Sequence, residues 1–328
     1  MRISSAGWTW MRRLGGAAVA GALVWRVGTG PFLDGVRGVD GLSLGAATAI
    51  AAMTTVCCAW RWSLVAGGLG LELPLRAAIP AYYRSQFLNL ALPGGVVGDV
   101  HRAASQGRRA GDLLGSARAV LWERVAGQAV LLVLTMGALL TLPLPRPLSA
   151  SLAGALGVMA AVGAVLGGRQ LLRHHRDAAH EGGRQHTPAP PFEAARPRSR
   201  NAWRTLPAIL LASGLVTLGH AATFLIAARA TGSDASPLML LPLALVVQMA
   251  SAIPVNLAGW GPREGAAAWA FGAAGLGAAQ GLGASVAYGV LVLVATLPGA
   301  VLLLASVRWR GAEAAPRRQA ERRSWRRA

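Results

Sequence analysis

The feature that most constrains this chain is a series of apolar runs close to the ~20 residues that cross a bilayer. They cover residues 14–28, 42–60, 119–142, 148–167, 206–228, 237–253, 265–281 and 282–304. Most carry no charge, and several are apolar all round rather than along one stripe, as expected of helices surrounded by lipid or by other helices. Ala and Gly fill them, and small residues let membrane helices approach closely. The fold class this predicts is an all-α, polytopic integral membrane bundle of about eight spans. The first run follows Arg12 and Arg13 and reads as an uncleaved signal anchor, because so many spans come after it.

Two stretches break the pattern. Residues 75–102 read LRAAIPAYYRSQFLNLALPGGVVGDVHR, and residues 252–265 read AIPVNLAGWGPREG. Pro and Gly interrupt both, and a broken helix exposes backbone groups that lipid cannot satisfy. Such breaks persist where protein or a water-filled cavity covers them. Paired interruptions in the two halves of a membrane protein point to a binding site. Pro93 precedes Gly98, Asp99 and Arg102, while Pro254 precedes Gly259, Gly261, Arg263 and Glu264. The expectation is therefore two pseudo-repeated halves with broken or re-entrant helices, residues 75–102 forming a re-entrant segment.

Charge placement orients the bundle. All 32 basic residues are Arg, set against 13 acids for a net +19. They concentrate in residues 1–13, 99–118, 169–204 and 308–328, which the positive-inside rule puts in the cytoplasm. Both termini are then cytoplasmic, in a multi-pass protein of the cell membrane. The organisation reads as a first membrane half (1–168), a basic flexible loop (169–204), a second half containing GWGPREG (205–306) and a basic tail (307–328).

Composition also excludes. Without Lys there is no P-loop lysine, Schiff base or lysine general base. The adjacent Cys57 and Cys58 make neither a disulfide framework nor a zinc site. His175 and His180 sit close in the basic loop without further ligands, so no metal and no cofactor is expected. The Arg clusters lack a nucleic-acid-binding module. An anionic membrane surface attracts such juxtamembrane clusters at about 1 kcal/mol per residue, and is the partner expected of them.

Charges within or beside spans are costly and mark function. Arg84, Arg102, Arg124 and Arg263 offer the planar paired donors that suit a phosphate. Gly94, Gly95 and Gly261 let backbone N–H groups approach an anion. Asp99, Glu123 and Glu264 read as counter-charges or coupling groups. Adjacent residues on a helix point about 100° apart, so neither Glu123–Arg124 nor Arg263–Glu264 is expected to bridge internally. The two broken segments are expected to meet at one cavity, with Arg84 and Arg124 facing a lipid phosphate and Asp99 and Glu264 paired across the repeat interface. Snorkelling of Arg84 and Arg124 to the interface is the alternative.

YYRSQFLNLALPGGVVGDVHRA, then ARAVLWERVAG, then IPVNLAGWGPREGAA resemble the lysylphosphatidylglycerol synthase transmembrane family over roughly residues 10–306. The matching positions are Arg84, Asn89, Pro93, Gly94, Gly98, Asp99, Arg102, Glu123, Arg124, Gly261, Arg263 and Glu264. Val97 stands where the family pattern has a second glycine, and Glu123 where it has Asp. The resemblance implies a flippase-like membrane domain and places Asn89 with the headgroup-binding residues. It implies a phospholipid or polyprenyl-phosphate-linked sugar as ligand. Residues after 304 are too few for a soluble aminoacyl-transferase, so lysylphosphatidylglycerol synthesis is not expected. The remaining readings are a membrane-embedded enzyme or subunit of polyprenyl-phosphate glycolipid synthesis, using Asp99 or Glu264, and a scaffold for a separate lipid synthase.

Overall fold

The computed structural model describes residues 29–92, 95–141, 150, 154, 202–252 and 261–325, without the side chains of 202–203 and 307–325. The expected runs 14–28 and 148–167, nearly all of the basic loop 169–204, and Pro93, Gly94, Pro254 and Gly259 lie outside them, as do the side chains of the basic tail.

Among the described residues the chain is helical, with no strand. A short α1 (Gly30–Arg37) leads to two series of four helices. The first series is α2 (Gly41–Gly68), α3 (Leu75–Ala91), α4 (Val97–Ala110) and α5 (Leu113–Thr141). The second is α6 (Ala202–Ala230), α7 (Pro237–Ser251), α8 (Pro262–Ala273) and α9 (Ala278–Trp325). Four stretches are long and apolar enough to cross a membrane: α2, α5, Arg204–Ala230 of α6 and Ala278–Ser306 of α9. Val133, Leu140, Val301 and Leu304 point outward from them, exposed, which suits a lipid solvent and not water.

Each long helix starts and stops for local reasons. Asp40 caps α2 by accepting the Ser43 amide at 2.7 Å, a bond that also holds its carboxyl below the usual range. At the other end Gly70 turns left-handed (φ 79°) and Leu71 N–H donates to Ala66 at 3.0 Å. That six-to-one bond satisfies a terminal carbonyl. The end of α6 repeats it with Gly232 (φ 82°) and Ser233 N–H donating to Ala228 at 2.9 Å.

The register that lays Gly70 on Gly232 also lays Pro80 on Pro242, each the sixth residue of its helix. It lays Trp62 on Phe224, both buried, and Gln86 on Gln248. The packing follows the same exchange. The pairs α2–α3, α3–α4, α4–α5, α2–α5, α3–α9 and α2–α9 each have a counterpart in α6–α7, α7–α8, α8–α9, α6–α9, α7–α5 and α6–α5.

The corresponding helices α2 and α6 lie side by side and run antiparallel. Gly219 faces Ile50 and Thr54, while Arg61 Nη1 donates to Ser213 Oγ at 3.0 Å. The halves are thus inverted relative to each other, an arrangement that places sites at the repeat interface.

Helices α3 and α4 form the hairpin arms of the first break. Gln106 donates to the Glu72 carbonyl near one end, and Gly98 N–H donates to Asn89 Oδ1 at 2.7 Å near the other. Gly98 is required there, because a Cβ would stand 1.9 Å from the Ser85 carbonyl oxygen.

The expected single run 265–281 is corrected by the structure. Helix α8 has 12 residues, roughly 18 Å at 1.5 Å per residue, too short for a hydrocarbon core of about 30 Å. Gly275 (φ 80°) and Gly277 (φ 93°) reverse the chain, and α9 returns along α8 with Gly281 against Ala267 and Phe271. Helix α7, at 15 residues, likewise falls short of the span expected over 237–253.

The larger apolar core centres on Phe224, Leu243, Phe271 and Leu291 and joins helices of both halves. A smaller one around Cys58, Trp62, Leu73 and Tyr82 belongs mainly to the first half.

Candidate functional site

At the centre of the first half sits Glu123 on α5, its side chain fully buried. Its Oε1 accepts Arg61 Nε at 2.9 Å, forms an ion pair with Arg61 Nη2 and accepts the Tyr82 hydroxyl at 3.2 Å. Its Oε2 accepts Arg102 Nη2 at 2.6 Å. Breaking a buried pair by removing one partner costs roughly 3–5 kcal/mol, because the other charge is left uncompensated. This network therefore stands or falls as a unit.

Arg102 is packed between Trp62 and Tyr82, its guanidinium carbon 4.8 and 4.6 Å from their ring centroids. Its Nε donates to Asp99 Oδ1 at 3.0 Å. Asp99 also accepts Ser85 Oγ at 3.3 Å and pairs through Oδ2 with Arg124. Glu123 and Arg124, adjacent in mid-helix, thus face different partners, as the 100° rotation requires.

The second half behaves otherwise. Arg263 and Glu264 bridge each other, Nε–Oε1 at 2.8 Å and Nη2–Oε1 at 2.6 Å. This corrects the expectation that adjacent residues stay apart. The pair lies in the first turn of α8, where no preceding turn stands in the way. There Glu264 folds back so that Oε2 accepts the Gly261 amide at 2.6 Å, and the long Arg side chain reaches over the helix end. The Arg263 guanidinium lies 5.3 Å from the Tyr288 ring centroid, and the Tyr288 hydroxyl is 3.0 Å from His220 Nδ1.

Between the halves lies a cavity of about 340 Å³. Both broken segments reach it, through Asn89, Gly95 and Asp99 on one side and Ala252, Pro262 and Arg263 on the other. Arg61, Arg124, His220 and Tyr288 complete its polar wall. The lining also carries repeat-related pairs. Gln86 accepts Thr55 Oγ1 at 2.9 Å, and Gln248 lies against the Thr217 carbonyl at 3.4 Å; all four line the cavity.

The residues singled out in the sequence divide accordingly. Asn89, Gly95, Asp99, Arg124 and Arg263 line the cavity. Arg102, Glu123 and Glu264 are buried behind it, Arg84 is placed on α3 outside the lining, and Gly94 is outside the described residues. Asp99 and Glu264 do not pair across the interface; each finds its cations in its own half. The hairpin brings Arg102 and Arg124 to Asp99 sooner than any residue of the other half.

Arg61, His220 and Tyr288 were missed. The expected run 42–60 stops one residue before Arg61, which made a mid-helix charge read as a flank. A lone Arg or His inside a continuous apolar run was the available signal.

The fold and the site define a multi-pass helical membrane protein with inverted halves around a charged internal cavity. The family model described as the lysylphosphatidylglycerol synthase TM region matches residues 13–316, and the chain belongs to this family. No curated protein and no solved structure matches the chain. Family membership makes it a membrane protein of lipid-related function.

Proposed function

We propose that the chain holds the phosphate of a membrane lipid in this cavity and carries the headgroup between leaflets. The charge inventory of the lining carries the reading: Arg61, Arg124 and Arg263 stand against the single carboxylate Asp99. Guanidinium groups match phosphate oxygens with paired, charge-assisted hydrogen bonds. Arg124 is the most available of the three, with 42% of its side chain exposed and its Nε without a hydrogen-bond partner among the described residues. Breaks between short helices at both walls add backbone donors of the kind anions use.

Asp99 and Glu264, the carboxylates an enzyme would use, are both committed to Arg side chains. This favours binding and movement over general-base chemistry.

Purified protein in liposomes, with leaflet-resolved labelling of the headgroup, tests the proposal. The expected result is transbilayer exchange well above protein-free liposomes. Arg124→Ala should lower it at least ~10-fold, equivalent to about 1.4 kcal/mol, with insertion and thermal stability retained. Exchange no faster than in empty liposomes would sink the reading, and product formation without exchange would point to an enzyme.

A further inference from the structure

We infer that the lipid carries an uncharged polyol, a glycerol or a sugar, beyond its phosphate, and not an amine; the inference rests on the phosphate reading above. The argument is an inventory of acceptors. An ammonium group taken out of water needs a carboxylate to face. Every carboxylate oxygen at this site already has a donor. Glu123 gives Oε1 to Arg61 and Tyr82 and Oε2 to Arg102. Asp99 gives Oδ1 to Arg102 and Ser85 and Oδ2 to Arg124. Glu264 gives Oε1 to Arg263 and Oε2 to the Gly261 amide. An ammonium in the cavity would instead meet the guanidinium groups of Arg61, Arg124 and Arg263, all like charges.

A polyol finds the opposite. The wall supplied by the second half is neutral and polar, with Thr217, His220, Gln248, Ser251 and Tyr288 on the lining, and Gln86 faces them from α3. Amide, imidazole and hydroxyl groups each donate and accept, as a chain or ring of hydroxyls requires. A volume of about 340 Å³ lies in the ~300–1,000 Å³ range of small-molecule sites. The cavity is thus divided, with most of the cationic lining on the first half and a hydroxyl-compatible wall on the second.

A competition experiment on the full chain, in mild detergent with native mass spectrometry, tests this. The probes are phosphatidylglycerol, a polyprenyl phosphohexose, phosphatidic acid, phosphatidylethanolamine, lysylphosphatidylglycerol and diacylglycerol. Phosphatidylglycerol or the phosphohexose should be retained ~10-fold or more over both amine lipids and over phosphatidic acid. Whichever of the two is preferred tells glycerol from sugar. Gln248→Leu should narrow the advantage over phosphatidic acid, because a site built to bond hydroxyls loses its discrimination when that bond is removed. Equal or better retention of an amine lipid overturns the inference and leaves the phosphate reading standing, and so does equal retention of phosphatidic acid. Diacylglycerol retained as well as the phosphate lipids removes the phosphate reading itself.

Discussion

The two halves share a path and differ in what they put on it. Asp99 and Glu264 are each the third residue of their short helix, α4 and α8. Glu123 and Tyr288 are each the eleventh of the long helix that follows. In the first half these positions join Arg61, Arg102 and Arg124 in one ionic network. In the second, Glu264 closes on its neighbour Arg263, and Tyr288 meets a neutral partner, His220. Backbone frame and site chemistry are therefore separable. Pro80 with Pro242, Gly70 with Gly232 and the Thr–Gln pairs preserve the frame, while a handful of side chains make one half ionic and the other polar.

The contrast is most exposed at Glu123. Glu123→Gln leaves Arg61 and Arg102 buried without a counter-charge, and should lose roughly 3–5 kcal/mol. Tyr288→Phe removes one hydrogen bond at the matching position and should lose about 1 kcal/mol. Thermal unfolding in detergent reads both, and equal losses would break the comparison.

A second contrast concerns space. Gly98→Ala drives a Cβ into the Ser85 carbonyl and should cost about 1–3 kcal/mol, as overpacking does. Gly272→Ala, in α8, meets nothing closer than 3.6 Å and should gain up to ~1 kcal/mol from a stiffer helix. The same sign for both would show that the two short helices are not held by different degrees of closeness.

The smallest effect lies outside the membrane. Asp40→Ala removes the α2 cap and should lower the unfolding temperature slightly at neutral pH. The carboxyl's pKa is depressed in the folded state, so its contribution is present above the unfolded-state value. It is lost as pH falls through the folded one. Variant and parent should converge on acidification, and a difference that persists at low pH would assign the effect to something other than the cap.

Much of the frame was legible. Runs of bilayer length mark α2, α5, α6 and α9, because lipid demands uninterrupted apolar helix. Pro and Gly clusters mark both breaks. What was hidden depends on three dimensions. The run 265–281 reads as one helix, since Gly is tolerated within membrane spans, and only the left-handed Gly275 and Gly277 show the reversal. Arg61 finds Glu123 through tertiary packing of α2 against α5, which helical periodicity does not report. The Arg263–Glu264 bridge depends on its place in a first turn, not on residue spacing.

The ionic network has a consequence for how this chain is made. Arg61, Tyr82, Asp99, Arg102, Glu123 and Arg124 all fall before residue 125, and Ser213 alone among the network's partners comes later. During synthesis, which runs from the N-terminus and lets earlier units fold first, the first half can neutralise its own charges before α6 has left the ribosome. The nascent half therefore does not have to wait in the membrane with bare guanidinium groups, and the newcomer α6 needs to contribute only a hydroxyl to a site already assembled.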